Sequence, residues 1–231
     1  MSATTFPHRR RGLVPLAAVI IAVSAAIALP LVGEQAADAR AGQHAAAVQS
    51  DGSRESQLRN DMRKLWEDHI TWTRLAIVSF AAGLPDFDPT AARLLRNQDD
   101  IGNAIKPYYG RRAGNQLTAL LREHIAGAVE LLMAAKSGTT ADFDAAKAAW
   151  YRNGNQIARF LSEANPKNWR FAKVRALMRG HLDLTIEEAA ARLQGDFPAD
   201  IRAYDRVHDH ILMFADALSS GIIKQFPRKF R

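Results

Sequence analysis

The fold is decided by residues 65–80, LWEDHITWTRLAIVSF. In a helix, positions three, four, seven and eleven residues apart share a face. By that spacing, the neighbours of His69 on its face are Leu58, Met62, Leu65, Thr73, Ala76 and Phe80. A polar side chain that is buried without a partner costs roughly 1 to 3 kcal/mol. The stretch therefore predicts a core-facing helix with a buried imidazole near its middle that needs a partner.

The same arrangement recurs in five further segments. Near the middle of each segment, one imidazole or amide lies on the apolar face. The six residues are His69, Gln98, His124, Asn153, His181 and His208. Because the six lie at similar depth, we expect them to satisfy one another or to hold a ligand.

Turn signals separate the six segments. Gly83-Leu84-Pro85 ends the first, and Pro107 with the following Tyr108-Tyr109-Gly110 is expected to end the second. The predicted helices cover about 55–82, 88–106, 111–136, 140–164, 168–193 and 198–223. No segment shows the alternation and β-branched runs of a strand. The sequence therefore predicts an all-α fold, a six-helix up-and-down bundle.

The two halves of the chain also resemble each other. At a separation of 84 residues, the matching pairs are Trp66 with Trp150, His69 with Asn153, and His124 with His208. At 83 residues, Gln98 pairs with His181. This spacing favours a duplicated three-helix unit, with equivalent helices placing their polar residues at equivalent heights.

The amino-terminal residues 1–41 indicate export. The uncharged stretch 12–33 follows Arg9-Arg10-Arg11, which is the pattern of a cleaved signal peptide. The stretch is also long enough to remain as a single membrane anchor, with the bundle outside the cytoplasm. Arg10-Arg11 further allows a twin-arginine signal. We expect a periplasmic or other extracytoplasmic location, a linker over 42–54, a bundle over 55–223 and a solvated basic tail over 224–231.

The residue types in the buried row favour a transition metal. The chain has no cysteine, so thiolate ligands are excluded. An imidazole-rich set with few carboxylates suits a zinc, copper or iron ion. The candidate ligands are His69, His124, His181 and His208, and the candidates for orienting them or contacting a substrate are Gln98, Asn153, Asp205 and His210. The primary hypothesis is therefore an exported metal-binding bundle that acts in metal handling or an oxidative function.

Two alternatives remain open for the same row. One is a hydrogen-bonded layer that only specifies helix packing, as a buried asparagine does in a coiled coil; the protein would then be a non-enzymatic structural or interaction module of the envelope. The other is a pH-sensitive bundle, because clustered buried imidazoles disfavour one another's protonation.

Several function classes are excluded. Of the net charge of +7, the residues after 41 carry +5, and their lysines and arginines are spread over every helix, whereas nucleic-acid binding proteins usually carry a basic stripe or a recognisable module. Neither a glycine-rich phosphate loop nor a serine elbow occurs. The acidic residues that lie off the apolar faces are Asp100, Glu123, Asp183 and Asp209. A carboxylate di-iron centre is therefore not expected, and we assign no catalytic residue.

Four stretches resemble a widespread family of bacterial helical proteins. They are LWEDHITWTRL (65–75), LLRNQDDIGNAIKPYYG (94–110), GNQLTALLREHI (114–125) and YDRVHDHI (204–211). The resemblance covers nearly all of the chain after the leader. Members of that family often carry the label glycosyltransferase or acetylglutamate kinase, so the resemblance implies transferase activity as a third hypothesis. Such activity would require a solvent-open pocket lined by acidic or amide side chains.

Overall fold

The structure is a computed structural model that describes residues 38–231, with side chains from Arg54 onward. Backbone contacts divide the chain after Ala39, and the second unit, 40–231, is the bundle. The predicted leader lies almost entirely outside the described residues, so its export and anchoring roles stay predictions. Within 38–231, no helix is both long enough and apolar enough to cross a membrane.

All the regular structure between residues 38 and 231 is helical, which confirms the all-α prediction. The elements are α1 (Asp38–Ala82), α2 (Phe87–Ser137), α3 (Thr140–Ala164), α4 (Phe171–Leu193), α5 (Phe197–Gln225) and a 3₁₀ turn (Pro227–Lys229). There are five helices rather than the expected six. Residues 42–54, expected to form a linker, lie within α1.

The helix count differs because α2 is interrupted by a single residue. Gly110 has φ 82° and ψ 168°, a conformation that glycine adopts without the steric cost of a Cβ. The helix folds back there into two arms, residues 87–109 and 111–137. Pro107 lies inside the first arm instead of following it, so the prediction that it ends the helix was wrong. The arm ends at Gly110, so the proline removes a backbone hydrogen bond only near the arm's end.

The two arms of α2 approach each other closely at two glycines. A Cβ added to Gly102 would lie 2.7 Å from the carbonyl oxygen of Gly114, and one added to Gly114 would lie 2.6 Å from the carbonyl oxygen of Gly102. Neither backbone oxygen can move away as the end of a flexible side chain could. The absence of a Cβ at both positions therefore allows the arms to pack backbone against backbone.

The carboxyl terminus packs on the bundle. Phe230 is buried and its ring stacks on that of Tyr108, with 5.8 Å between the centroids. Lys229 Nζ donates to the carbonyl oxygen of Pro107 at 2.8 Å. The tail over 224–231 is therefore solvated only in part: its Lys and Arg side chains are exposed, whereas Phe230 buries apolar surface against the turn region of α2.

Candidate functional site: a buried layer of histidines and amides

Three imidazoles from three parts of the bundle meet in the core. His69 of α1, His124 of the second α2 arm and His181 of α4 are all buried, as predicted. The ring centroid of His181 lies 5.6 Å from that of His69 and 6.0 Å from that of His124. We call these three residues, together with Asn97, Gln98 and Asn153, the polar layer.

The amides of the polar layer are also buried. Gln98 and Asn97 are completely inaccessible to solvent, and Asn153 is nearly so. The sequence reasoning missed Asn97. Its position three residues after Leu94 and four before Ile101 places it on the apolar face, and this spacing was the signal that could have found it.

The hydrogen bonds of Gln98 determine which nitrogen of His69 carries the proton. The Nε2 of Gln98 donates to the carbonyl oxygen of Leu94 at 2.8 Å and to Oδ1 of Asn97 at 3.2 Å, so the amide nitrogen is on that side. The same nitrogen lies 3.3 Å from Nδ1 of His69. Because an amide nitrogen has two hydrogens and only donates, one hydrogen is shared between two of these three acceptors. Nδ1 of His69 is thus an acceptor in a weak bond, and the proton of the neutral ring is on Nε2.

His124 has the opposite tautomer. The Nδ2 of Asn153 donates to the carbonyl oxygen of Leu120 at 3.1 Å, which leaves Oδ1 of Asn153 facing Nδ1 of His124 at 3.0 Å. Nδ1 of His124 therefore donates, and its Nε2 keeps a lone pair. Trp150 fixes the ring further, since its indole stacks on the imidazole at 5.0 Å and its Nε1 donates to the His124 carbonyl oxygen at 2.9 Å.

The polar layer has hydrogen-bonding capacity that the described residues do not use. Nδ1 of His181 and Oε1 of Gln98 are buried and have no hydrogen-bond partner among residues 54–231. Buried polar atoms usually have at least one partner. The layer therefore combines fixed bonds at His69 and His124 with a third imidazole whose proton position nothing in the described part of the chain determines.

Burial keeps the three imidazoles neutral. Burial, together with a smaller effect of the nearby His124, lowers the pKa of His69 to about 3. Burial also lowers the pKa of His124 to about 4, against the raising effect of its bond to Asn153. The pKa of His181 is well below its ordinary value because of burial first and then the neighbouring histidines. At neutral pH, all three rings are therefore uncharged.

His208 does not belong to the polar layer. Its side chain is 33 % exposed, and its Nε2 lies 3.1 Å from Oε1 of Glu67. Ile201, seven positions before His208 and therefore on the same helical face, is 55 % exposed. The core-facing residues in this half of the helix are Asp200, Ala203 and Val207. The expectation of a buried His208 was wrong because α5 turns a different face to the core in its first half.

The other two candidates on α5 also lie outside the layer. Asp205, a candidate for orienting the ligands or contacting a substrate, is exposed. His210 packs on α4, where its Nε2 donates to the carbonyl oxygen of Leu177 at 2.8 Å. Its ring occupies the space beside Gly180, where an added Cβ would lie 2.9 Å from Cε1 of His210. His210 is therefore part of the α4–α5 interface.

The described residues do not assemble the predicted metal centre. Among the side chains described, from Arg54 to Arg231, no group of three or more histidine and acidic residues is arranged to hold a metal ion. His208 lies elsewhere, and the lone pair on Nδ1 of His69 already accepts from Gln98. The acidic residues expected to lie off the apolar faces are indeed exposed. Of the fixed rings, only His124 offers a free lone pair on Nε2.

A second buried polar group, which the sequence reasoning did not identify, joins α1, α4 and α5. Arg74 donates to Glu188 at 2.8 Å and to both carboxylate oxygens of Asp200 at 2.6 and 2.9 Å. Arg192 lies 3.4 Å from Asp200. The side chains of Glu188 and Asp200 are 1 % and 0 % exposed. We call these four residues the ionic cluster.

The two carboxylates of the ionic cluster compete for Arg74. Burial raises the pKa of Glu188 to about 7; the hydrogen bond and charge of Arg74 act against this rise, and the charge of Asp200 adds to it. The pKa of Arg74 is raised, chiefly by its hydrogen bond to Asp200. Asp200 is thus the principal partner of the guanidinium, and Glu188 is the carboxyl that takes up a proton near neutral pH.

Comparison with known proteins finds no matching family model, no matching curated protein and no matching solved structure. The resemblance to the bacterial helical family therefore stays a prediction.

Proposed function

We propose that this protein is a non-enzymatic helical-bundle module, exported to the cell envelope, in which the polar layer specifies how the helices pack. The observation that carries the proposal is that the amides of the layer bond from helix to helix. Asn97 of α2 donates to the carbonyl oxygen of Leu65 in α1 at 3.0 Å. Asn153 of α3 donates to that of Leu120 in the second α2 arm.

Such bonds favour a single register. Each one joins a buried side chain to one particular carbonyl on the next helix. If a helix slid by one turn, both groups would remain buried without a partner, at a cost of about 1 to 3 kcal/mol for each group. Apolar contacts alone discriminate less, because a hydrophobic side chain meets another hydrophobic surface after such a shift. Buried polar residues specify register in this way in coiled coils.

The His124–Asn153 pair tests the structural role. We expect Asn153→Leu alone to destabilise the fold by about 1 to 3 kcal/mol, because it leaves Nδ1 of His124 buried without its acceptor. Adding His124→Leu removes the orphaned group, so the double variant should recover much of the loss in urea unfolding. Asn155→Leu, on the exposed face of the same helix, is the matched control and should change little. A double variant that is less stable than Asn153→Leu would contradict the proposal.

A transition-metal site is the second candidate, favoured by the three neutral imidazoles and the free Nε2 of His124. Metal analysis of untagged full-length protein after exposure to zinc, copper or iron separates the two proposals. A metal site predicts about one ion per chain, lost in His124→Ala and retained in the matched control His208→Ala. Metal binding of this kind would contradict a purely structural layer. Protein that stays folded and takes up none of the three metals would exclude the metal site.

The transferase hypothesis has less support. It requires acidic or amide side chains that a substrate in solution can reach. Asn97 and Gln98 are completely buried, and Asn153 is 9 % exposed. Their hydrogen bonds join neighbouring helices, which favours a packing role for these amides.

A further inference from the structure

An apolar cavity of about 80 Å³ lies one helical turn from the polar layer. Its wall residues are offset by four positions from layer residues on three helical segments: Thr73 from His69, Leu94 from Gln98, and Thr185 from His181. Four residues of helix correspond to about 6 Å. Ile125, directly after His124, also lines the cavity. The polar layer thus lies under one end of the cavity, and the remaining walls extend away from it.

The walls offer almost no free hydrogen-bonding group. Most of the lining residues are aliphatic or aromatic. The hydroxyl of Thr73 donates to the carbonyl oxygen of His69 at 2.7 Å, and that of Thr185 donates to the carbonyl oxygen of His181 at 2.8 Å. The indole N–H of Trp150 is used in the same way on His124. The hydrogens of these polar groups are therefore already engaged by the backbone.

The cavity has a closed end and an open end. Ile77, Leu94 and Trp150 are at most 4 % exposed. Phe87 and Leu193, which also line the cavity, are only partly buried and lie at helix ends. The cavity therefore extends from fully buried side chains to partly exposed ones at these helix ends.

We propose that this cavity binds a small uncharged apolar molecule, of the size of one aromatic ring or a short alkyl chain. Water makes no hydrogen bonds to such walls, and apolar cavities in proteins stay dry or bind apolar ligands. A cavity of about 150 Å³ holds one benzene molecule. This cavity has about half that volume, so one edge of a ring would occupy the partly exposed mouth beside Phe87.

The chemistry of the walls also excludes polar ligands. The unpartnered Nδ1 of His181 and Oε1 of Gln98 belong to residues of the layer, and neither residue lines the cavity. A hydroxyl or charged group on the ligand would lose its water and gain no partner. This binding site goes beyond the proposed structural function and does not depend on it.

The experiment compares benzene with phenol on the full-length protein. We expect benzene to bind saturably, seen as a raised thermal midpoint, and phenol to bind at least about tenfold more weakly, because its hydroxyl gains no partner in the cavity. Equal or tighter binding of phenol, or no saturable binding of benzene, would overturn the proposal. Xenon offers an independent readout, since a crystal under xenon pressure should show the atom among Ile77, Leu94 and Trp150.

A filled cavity provides the matched variant. Ala189 lines the cavity, and Ala189→Leu should weaken benzene binding by at least about tenfold. Ala148→Leu, at an exposed position of α3, makes the same chemical change away from the cavity and should leave binding unchanged. Benzene binding that is equal in the two variants would overturn the proposal. If Ala189→Leu does not fold, the benzene and phenol comparison and the xenon position on the unmodified protein still decide.

Discussion

The protein buries polar side chains in two places, the polar layer and the ionic cluster, and the two differ in how burial is made tolerable. In the polar layer, burial lowers the pKa of His69 and His124 far enough to keep them neutral. In the ionic cluster, Arg74 stays charged and is held by the buried carboxylate of Asp200. The layer avoids charge, whereas the cluster pairs it.

This difference determines which substitutions each region tolerates. A neutral layer has unused groups, at His181 and Gln98, and tolerates replacement of a whole hydrogen-bonded pair by apolar side chains. A charged cluster does not tolerate removal of its central cation, because the buried carboxylates then lose their principal partner. The layer is therefore the region where sequence change or a ligand can be accommodated, and the cluster is the more rigid constraint on the fold.

Removal of Arg74 should have the largest effect. Arg74→Met leaves Glu188 buried without its cation and Asp200 with only the more distant Arg192, at 3.4 Å. We expect a loss of about 3 to 5 kcal/mol in the free energy of unfolding, measured with urea. Arg122→Met is the matched control, because Arg122 pairs with Asp99 at the surface, where both side chains are 45 % exposed. Equal stability of the two variants would show that the ionic cluster contributes no more than a surface ion pair.

Acid should weaken the fold through the polar layer. The unfolded chain binds protons on histidine near pH 6.5, whereas folded His69 and His124 bind them only near pH 3 and 4. Between pH 7 and pH 5, the unfolded state therefore takes up more protons, so the free energy of unfolding decreases as the pH falls. We expect a loss on the order of 1 to 2 kcal/mol for each buried imidazole over this range, measured by urea unfolding at each pH.

The double variant His124→Leu with Asn153→Leu provides the control for this acid effect. It removes one of the three buried imidazoles together with its partner, so its stability should decrease less steeply between pH 7 and pH 5. An unchanged slope would show that protonation of the polar layer is not the cause.

The smallest expected effect has the opposite sign and belongs to Glu188. Its pKa is about 7 in the folded chain and 4.5 in the unfolded chain, so the folded state holds the extra proton between these values. The contribution of Glu188 to the free energy of unfolding therefore decreases as the pH rises from 4.5 to 7, which offsets part of the larger opposite contribution of the three imidazoles. Glu188→Gln removes this titration, so the variant should gain on the order of 1 to 2 kcal/mol relative to the unmodified protein between pH 5 and pH 8. A constant difference between the two proteins over that range would contradict the raised pKa.

The sequence predicted the polar layer better than it predicted α5. On α1, α2, α3 and α4, the buried polar residue lies among several large apolar residues with helical spacing, and this spacing identified five of the six candidates. The first half of α5 has few such residues, and the helical spacing of Ile201 and Tyr204 from His208 indicates an apolar face that the helix does not turn to the core. The actual face is set by Asp200, whose burial depends on Arg74, 126 positions away. Hydrophobic periodicity cannot identify a buried charged residue whose partner lies on a helix distant in sequence.

The helix boundaries show a similar limit. Gly83 and Gly138 mark helix ends in both the sequence pattern and the structure. Gly110 was expected in a turn after Pro107, yet the helix continues through the proline and reverses at the glycine. Local sequence preferences predicted a break in the helix near Gly110. They did not predict that the helix continues through Pro107, where the chain contacts the carboxyl-terminal residues Lys229 and Phe230.

The contact between Gly102 and Gly114 determines how a complete mutational scan of this protein would look. Any substitution at either position places a carbon against a backbone oxygen, so nearly every replacement should be rejected. Those two positions would then appear as intolerant as a catalytic residue, although they contact only each other's main chain and nearby side chains. In this bundle, intolerance to substitution therefore identifies positions where two helices pack closely. Binding residues are better recognised by a change in their tolerance to substitution when a ligand is added.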